Sequence, residues 1–286
     1  MSTDILARIQ AQLHTFSKGQ KRIANYILES YDKAAFMTAS KLGKTVAVSE
    51  STVVRFAVEL GFDGYPSMQR SLQEMVRTRL TSVQRIEAAN DRFGDQDVVS
   101  SVLQSDIDSI RLTAESLDRR EMAACVEAIL QAKHIYIVGV RSSAALAAYL
   151  NFYFRNLFDN VRLVSSTATS EMFEQMLRVG AGDVVLGISL PRYSSRTVKL
   201  LQYAHDSGAT VVTITDKPEA PAGKVADYVL CAKSNMVSFV DSLVAPMSVV
   251  NALIVSVGLQ QEDSVAKTYE DLERIWDEYD AFERVE

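Results

Sequence analysis

From His134 onward the chain alternates short β-branched and aliphatic runs with stretches of helical period, and few architectures accept that rhythm. Apolar runs of four or five residues without polar alternation are strands covered on both faces, and a helix between them starts each new strand parallel to the last. Ile135–Val138, Val161–Val164, Val184–Ile188, Thr210–Ile214 and Tyr228–Cys231 therefore predict five strands. The spacing between them predicts helices over Ala144–Phe158, Glu171–Val179, Arg196–Asp206 and Ser242–Val257. A last amphipathic helix, Val265 to Tyr279, is expected to pack on its own domain or on a neighbouring subunit. The expectation is an α/β domain with a five-stranded parallel sheet between helices.

Up to Leu80 the pattern is helical throughout. Ile5, Leu6, Ile9, Leu13 and Phe16 recur at helical spacing, and Ser17-Lys18-Gly19-Gln20 reads as a capping box before Ile23, Tyr26 and Ile27. Thr38–Thr45 and Ser49–Leu60 predict two further helices, Gly61–Gly64 a turn, and Pro66 fits the first position of a fifth. Arg77–Gln96 is polar and mixed in charge, which reads as a linker or an exposed connecting helix. Val98–Gln131 returns to helical periodicity, with Asp118 and Glu121 spaced as a second capping box. The expected organisation is an all-α domain over residues 1–80, linker and connecting helices over 81–131, and the α/β domain with its C-terminal helix over 132–286.

The net charge of −6 looks wrong for a nucleic-acid binder until it is divided along the chain. Residues 1–80 carry 11 Lys+Arg against 7 Asp+Glu, a net of +4, which leaves 19 against 29, or −10, on the remaining 206. A basic head on an acidic body points to DNA. Only Cys125 and Cys231 occur, far apart and without a CxxC, so two buried thiols are expected, with no disulfide framework, metal site or cofactor. The N-terminal residues lack the basic-then-apolar order of a secretory signal. The longest apolar stretch, Met247–Leu259, is interrupted by polar residues and falls short of the ~20 residues a membrane span needs. A cytoplasmic protein without a membrane segment is expected.

In a helix-turn-helix the second helix must bury one stripe and present another to the major groove. Across Ser49–Leu60, Val53, Phe56, Ala57 and Leu60 form such a stripe, leaving Ser51, Thr52, Arg55 and Glu59 outward and Ser49 as the N-cap. Ser51, Thr52 and Arg55 are candidates for base edges, because Arg can fork onto guanine and a hydroxyl can reach several groups. Lys41 and Lys44, on the preceding helix, are candidates for phosphates.

In an open parallel sheet, ligands bind beyond the carboxyl ends of the strands, where helix N-termini offer backbone N–H groups to an anion. Two hydroxyl-rich loops stand there, Gly139-Val140-Arg141-Ser142-Ser143 and Ser189-Leu190-Pro191-Arg192-Tyr193-Ser194-Ser195-Arg196-Thr197. Hydroxyls and helix-end amides can wrap phosphate or carboxylate oxygens, and Arg141, Arg192 or Arg196 can neutralise them. Ser165, Ser166, Thr167 and Thr169 follow the second strand and can line the same pocket, with simple helix capping as the alternative.

The strings Phe36–Leu42, Val48–Phe56 and Leu60–Tyr65 closely resemble the N-terminal domain of RpiR-family regulators. The region from His134 to Ala232, with Ile214-Thr215-Asp216 and Ala226-Asp227-Tyr228, resembles the SIS domain, the sugar-isomerase module that forms the C-terminal half of those regulators. The resemblance implies a helix-turn-helix domain followed by a SIS-like, flavodoxin-like sandwich. It implies a transcription regulator that binds double-stranded operator DNA as a homodimer or homotetramer, under the control of a phosphorylated sugar or similar small anion. Ser142 or Ser143 from the first loop, and Ser189, Ser194 and Thr197 from the second, are the phosphate contacts so implied, and Arg141, Arg192 and Ser195 join them as candidate ligand contacts on the composition of the loops themselves. Two departures stand out. Ala47 occupies the turn where the family usually has Gly, and the phosphate loop is enlarged by Pro191-Arg192-Tyr193 and carries Ser195 in place of Gly.

The alternative from another class is a sugar-phosphate isomerase or lyase on the same module. Isomerisation needs a base beside the carbonyl. Isomerases of this type commonly carry a Glu two residues after the Thr of the phosphate loop, where this chain has Lys199; Glu171 and His205 are the remaining candidates. With no nucleophile–base pair in the sequence and a DNA-type domain in front, a ligand-controlled switch is expected rather than an enzyme.

Overall fold

The computed structural model describes residues 5–79, 81–93, 97–236 and 238–283. The chain divides into two compact units, residues 1–102 with 236–241, and residues 103–235 with 242–286, a division that falls inside one helix, α8.

The first unit is helical. It contains α1 (Ile5–Gln12), α2 (Lys18–Glu29), α3 (Tyr31–Ala34), α4 (Ala39–Thr45), α5 (Glu50–Glu59), α6 (Tyr65–Arg79), α7 (Ser82–Phe93) and the start of α8 (Val98–Ser116). The capping box is complete: Ser17 accepts from the Gln20 amide while the Gln20 side chain accepts from the Ser17 amide. The one-turn α3 was not expected. Ile9, Ile23, Ile27, Leu42, Val53, Phe56, Met68 and Leu72 meet in one apolar core. Within Arg77–Gln96, expected as a linker or exposed helix, α7 does expose Ser82, Val83, Ile86 and Glu87, but Arg85 is only 2% exposed and ion-pairs with Asp241 at 2.9 Å. The partner of that one buried arginine lies 156 residues away, out of reach of any local pattern.

The second unit is a doubly covered parallel sheet. After α8, α9 (Arg119–Leu130) leads into β1 (Ile135–Gly139), α10 (Ser143–Leu157), β2 (Val161–Val164), α11 (Thr169–Gln175), β3 (Val184–Ile188), α12 (Ser195–Asp206), β4 (Thr210–Thr215), β5 (Tyr228–Cys231), α13 (Val244–Leu259) and α14 (Glu262–Glu278). All strand pairings are parallel, in the order β2-β1-β3-β4-β5. Alternate residues serve opposite faces. Ile135, Ile137, Val184, Leu186, Val212 and Ile214 pack against α9, α10 and α13, whereas Tyr136, Val138, Val185 and Val211 pack against α11 and α12. Both sides are therefore apolar, which is why the strands read as continuous runs.

The second capping box is only half made. Asp118 accepts from the Arg120 and Glu121 amides at 2.8 and 3.3 Å, but Glu121 turns away and accepts from the Val229 amide of β5 at 2.8 Å. The carboxylate thus ties down the outer strand of the sheet. Of the two thiols, Cys125 is buried, which pushes its pKa up to about 12, but Cys231 is only half-buried, not buried as expected. Among the described residues, no single helix is long and apolar enough to cross a membrane.

Glu121→Ala should leave the Val229 N–H without its charged acceptor, a loss of ~1.5–3 kcal/mol for such a bond. Hydrogen exchange should show the Val229 amide losing protection first, with the amides of β1 and β3 little changed. Uniform loss across the sheet would assign Glu121 a global role instead.

Candidate DNA-reading helix and effector crevice

The corner between α4 and α5 is set by its backbone. The Val48 amide donates to the Gly43 carbonyl at 2.8 Å and the Ala47 amide to that of Lys44 at 3.3 Å, a Schellman ending in which Ala47 takes φ +52°. That left-handed position favours glycine. Gly43 is required for a different reason: a Cβ there would sit 2.9 Å from the Val48 carbonyl oxygen. At the other end of α5, the Phe62 amide reaches Ala57 O at 3.1 Å and the Gly61 amide reaches Val58 O at 2.8 Å, with Gly61 at φ +79°. α4 and α5 thus end in the same device, while the start of α5 is capped by Ser49, whose hydroxyl accepts from the Thr52 amide.

On α5, Val53, Phe56 and Ala57 are buried, and Leu60 just beyond it is too, as the spacing predicts. Ser51 and Arg55 are exposed, and Lys41 and Lys44 are exposed on α4. Thr52 is placed differently from its expected outward position. It is half-buried, its methyl lies over Gly19, and its hydroxyl is 2.8 Å from Ser49 Oγ, which also lies 3.0 Å from Ser51 Oγ and caps the Thr52 amide. Glu59 accepts from Gln20 Nε2. Val54 and Val58, which sequence reasoning passed over because it searched for polar residues, are exposed on the outer side of the helix.

In the second unit the chain runs from β1 outward to β2 and then returns to β3 on the other side of β1, so the strand order reverses between β1 and β3. Connections leave these neighbouring strands toward opposite faces, and the crevice so formed is the usual ligand position in open α/β sheets. Both hydroxyl-rich loops begin there, since Gly139 pairs with Ile188 in the register of β1 and β3. A Cβ at Gly139 would lie 2.7 Å from Ser143 O and 2.9 Å from Ala147 Cβ, so its absence lets α10 start directly against the end of β1.

Arg141 sits at φ +57° and is exposed, as is Ser142, whereas Ser143 is buried. In the second loop Ser189 and Thr197 are 2% and 1% exposed, and neither hydroxyl has a hydrogen-bond partner among the described residues. Backbone ties hold this loop: Thr215 Oγ1 donates to Ser189 O at 2.7 Å and the Ser189 amide to Ile214 O at 3.1 Å. Tyr193 Oη donates to the buried Asp216 carboxylate at 2.7 Å. Ser194 is half-buried, and Ser195 and Arg192 are exposed. Arg196, offered as a neutralising charge, instead donates to Thr167 O at 3.0 Å and joins α12 to the loop after β2. Ser166 in that loop caps the Ala168 amide at 3.1 Å and donates to Glu171. Two rigid, buried hydroxyls beside helix N-termini and exposed arginines can receive a small anion.

Of the enzymic candidates, Lys199 and Glu171 are exposed. His205 lies in the last turn of α12, ten residues from Ser195 and so roughly 15 Å from the crevice end of that helix.

A model of the helix-turn-helix domain of the rpiR family matches residues 3–78, and a SIS-domain model matches residues 128–256. The chain carries a helix-turn-helix domain of the rpiR family and a SIS domain. It is a transcriptional regulator of that type, with a SIS domain behind its helix-turn-helix. The regulator HexR of Escherichia coli is 29% identical over 74% of this chain and 72% of its own length. Among solved structures, the sugar isomerase domain of an RpiR transcription factor from Sphaerobacter thermophilus is 26% identical, with a TM-score of 0.60, over 63% of this chain and 99% of that one. The Vibrio vulnificus NanR protein complexed with ManNAc-6P is 24% identical, with a TM-score of 0.57, over 95% and 99% of the two chains, and shares the fold.

Ala47 is the one place where this rpiR-family corner carries a side chain at a glycine-favouring φ. Ala47→Gly should stabilise the first unit by ~0.5–1 kcal/mol, the left-handed penalty less the extra freedom glycine gives the unfolded chain. Gly43→Ala should destabilise it by ~1–3 kcal/mol, because relief of the Cβ contact breaks the bond from Val48. Denaturant unfolding of both variants checks the pair, and equal midpoints would contradict this account of the corner.

Proposed function

We propose that this regulator binds a two-fold symmetric operator as a cytoplasmic homodimer or homotetramer, and that a phosphorylated sugar or similar small anion in the crevice beside β1 and β3 changes its DNA affinity without being turned over. One observation carries the effector half: Ser189 and Thr197 keep buried hydroxyls unpartnered among the described residues where a ligand of this fold sits. An unsatisfied buried polar group costs about 1–3 kcal/mol, and an anion's oxygens are the acceptors that would satisfy these two. Arg141, Arg192, Ser142, Ser143, Ser194 and Ser195 complete the proposed contacts. The NanR complex supports the class of ligand, since a protein of this fold is named there with a phosphosugar. The position of His205 at the far end of α12 favours a switch over an isomerase.

For DNA, Arg55 and Ser51 are proposed to meet base edges and Lys41 and Lys44 phosphates, with Thr52 reassigned to hold the cap. Arg55→Ala should cost ~1–3 kcal/mol at the cognate site and little on random DNA. Neutralising Lys41 or Lys44 should weaken both alike and reduce the log–log salt slope by about one. Mobility shifts across salt concentrations, on an operator found by binding-site selection, separate the two behaviours. A salt slope unchanged in both lysine variants removes them from the phosphate set.

For the effector, Thr197→Val with Ser189→Ala should abolish ligand-induced stabilisation while leaving the apo protein as stable or more so, because the variants delete unpaired polar atoms. Thermal shift with a panel of sugar phosphates reads both effects. Calorimetry with and without operator then tests the switch, since a ligand that weakens DNA binding must lose affinity for the DNA complex by the same factor. Equal ligand affinity in both states sinks the switch, and turnover abolished by Glu171→Gln would establish the isomerase instead.

A further inference from the structure

The outer side of α5 carries more than polar groups. Val58 is 54% exposed and Val54 38%, one helical turn apart, and they flank the exposed Arg55. Taken in order around the helix, Ser51, Val54, Arg55 and Val58 fall at i, i+3, i+4 and i+7, a continuous stripe opposite buried Val53, Phe56 and Ala57. Neither valine belongs to the apolar core of the first unit or packs against it. A β-branched residue on a solvated helix face lowers helix propensity and gains nothing from burial, so two at this spacing need a partner that the unit itself does not supply. A protein partner would meet a stripe centred on an arginine and a serine. In a major groove those same groups have ready acceptors, and the groove also offers one apolar feature, the thymine 5-methyl group.

We propose that Val54 and Val58 read thymine methyl groups, so that each half-site pairs a guanine contacted by Arg55 with thymine within one helical turn of the protein. This rests on the proposed reading of α5 as the DNA-recognition helix, and it adds a term to specificity that hydrogen bonding alone cannot supply. Cytosine presents no methyl at that position, so the valines discriminate by burial of a single carbon. Burying one methyl is worth ~0.8 kcal/mol, which is about a fourfold change in affinity.

The test removes the methyl and nothing else. Full-length protein is titrated onto its selected operator and onto operators in which each half-site thymine is replaced in turn by deoxyuridine. At one or two positions the substitution should weaken binding by about fourfold. In Val54→Ala or Val58→Ala that penalty should disappear at the matching position, while the penalties for changing the guanine persist. Val54→Thr and Val58→Thr retain one methyl and the side-chain shape, so they should keep part of the penalty, which guards against a trivial loss of folding. No deoxyuridine penalty at any position, or a penalty of the same size in wild type and all variants, overturns the inference while leaving DNA reading by Arg55 intact. Failure of the wild-type protein to prefer any sequence overturns the recognition-helix reading itself, and this inference with it.

Discussion

The direction reversal between β1 and β3 is the constraint from which the second unit follows. A parallel sheet needs a crossover between successive strands, and crossovers are right-handed in nearly all cases. A chain that adds β2 on one side of β1 and β3 on the other must therefore put α10 and α11 on opposite faces of the sheet. The connections then leave the carboxyl ends of β1 and β3 toward opposite faces, and the two loops there must satisfy their own polar groups. Gly139 lets one helix begin hard against its strand, and Thr215 fixes the other loop by its Ser189 carbonyl. What these ties leave over are side-chain hydroxyls, which is how a topological rule becomes a chemical site.

The first unit obeys a smaller version of the same logic. Two helices meet closely enough at the α4–α5 corner that the backbone of one faces the backbone of the other with no side chain between, at Gly43 and Val48. Close approach fixes the angle at which α5 leaves, and the Ser49 cap at its start with the Schellman bonds at its end set its length. An outward stripe is useful for recognition only if it is presented rigidly, because ordering loose side chains and backbone on binding has an entropic cost. Ser49 adds to this by drawing the hydroxyls of Ser51 and Thr52 into one cap cluster.

Much of this was legible in the residues, and the long polar side chains among the exceptions share a cause. Three of the five strands have the expected bounds, and the other two end one residue later, because a run buried on both faces declares itself by composition. The stripe on α5 was legible for the same reason. Three misplaced features, Glu121, Arg85 and Arg196, were polar residues whose partners lie far away in sequence. Glu121 sits at a capping-box spacing yet serves Val229, and Arg85 stands in a polar window yet is buried against Asp241. Arg196 stands in the hydroxyl-rich loop yet donates to Thr167 O, 29 residues away. Local pattern fixes which face is apolar; it says nothing of which distant acceptor a long side chain will reach. Val54 and Val58 follow from the same helical spacing as the core, on the side opposite Val53, Phe56 and Ala57.

The distribution of polar groups in the crevice also bears on how a switch could work. A ligand shifts an equilibrium only by the difference between its affinities for the two states. Ser189 and Thr197 stand on a strand end and the first turn of a helix, both packed into the sheet, so their geometry is expected to be common to all states of the unit. Contacts to them raise affinity uniformly and cannot by themselves move DNA binding. Arg141 and Arg192 are exposed, and Arg141 holds a left-handed backbone that costs ~1–2 kcal/mol outside glycine. In the proposed switch the differential contacts must therefore come from these loop residues, while the buried hydroxyls set how tightly the effector is held.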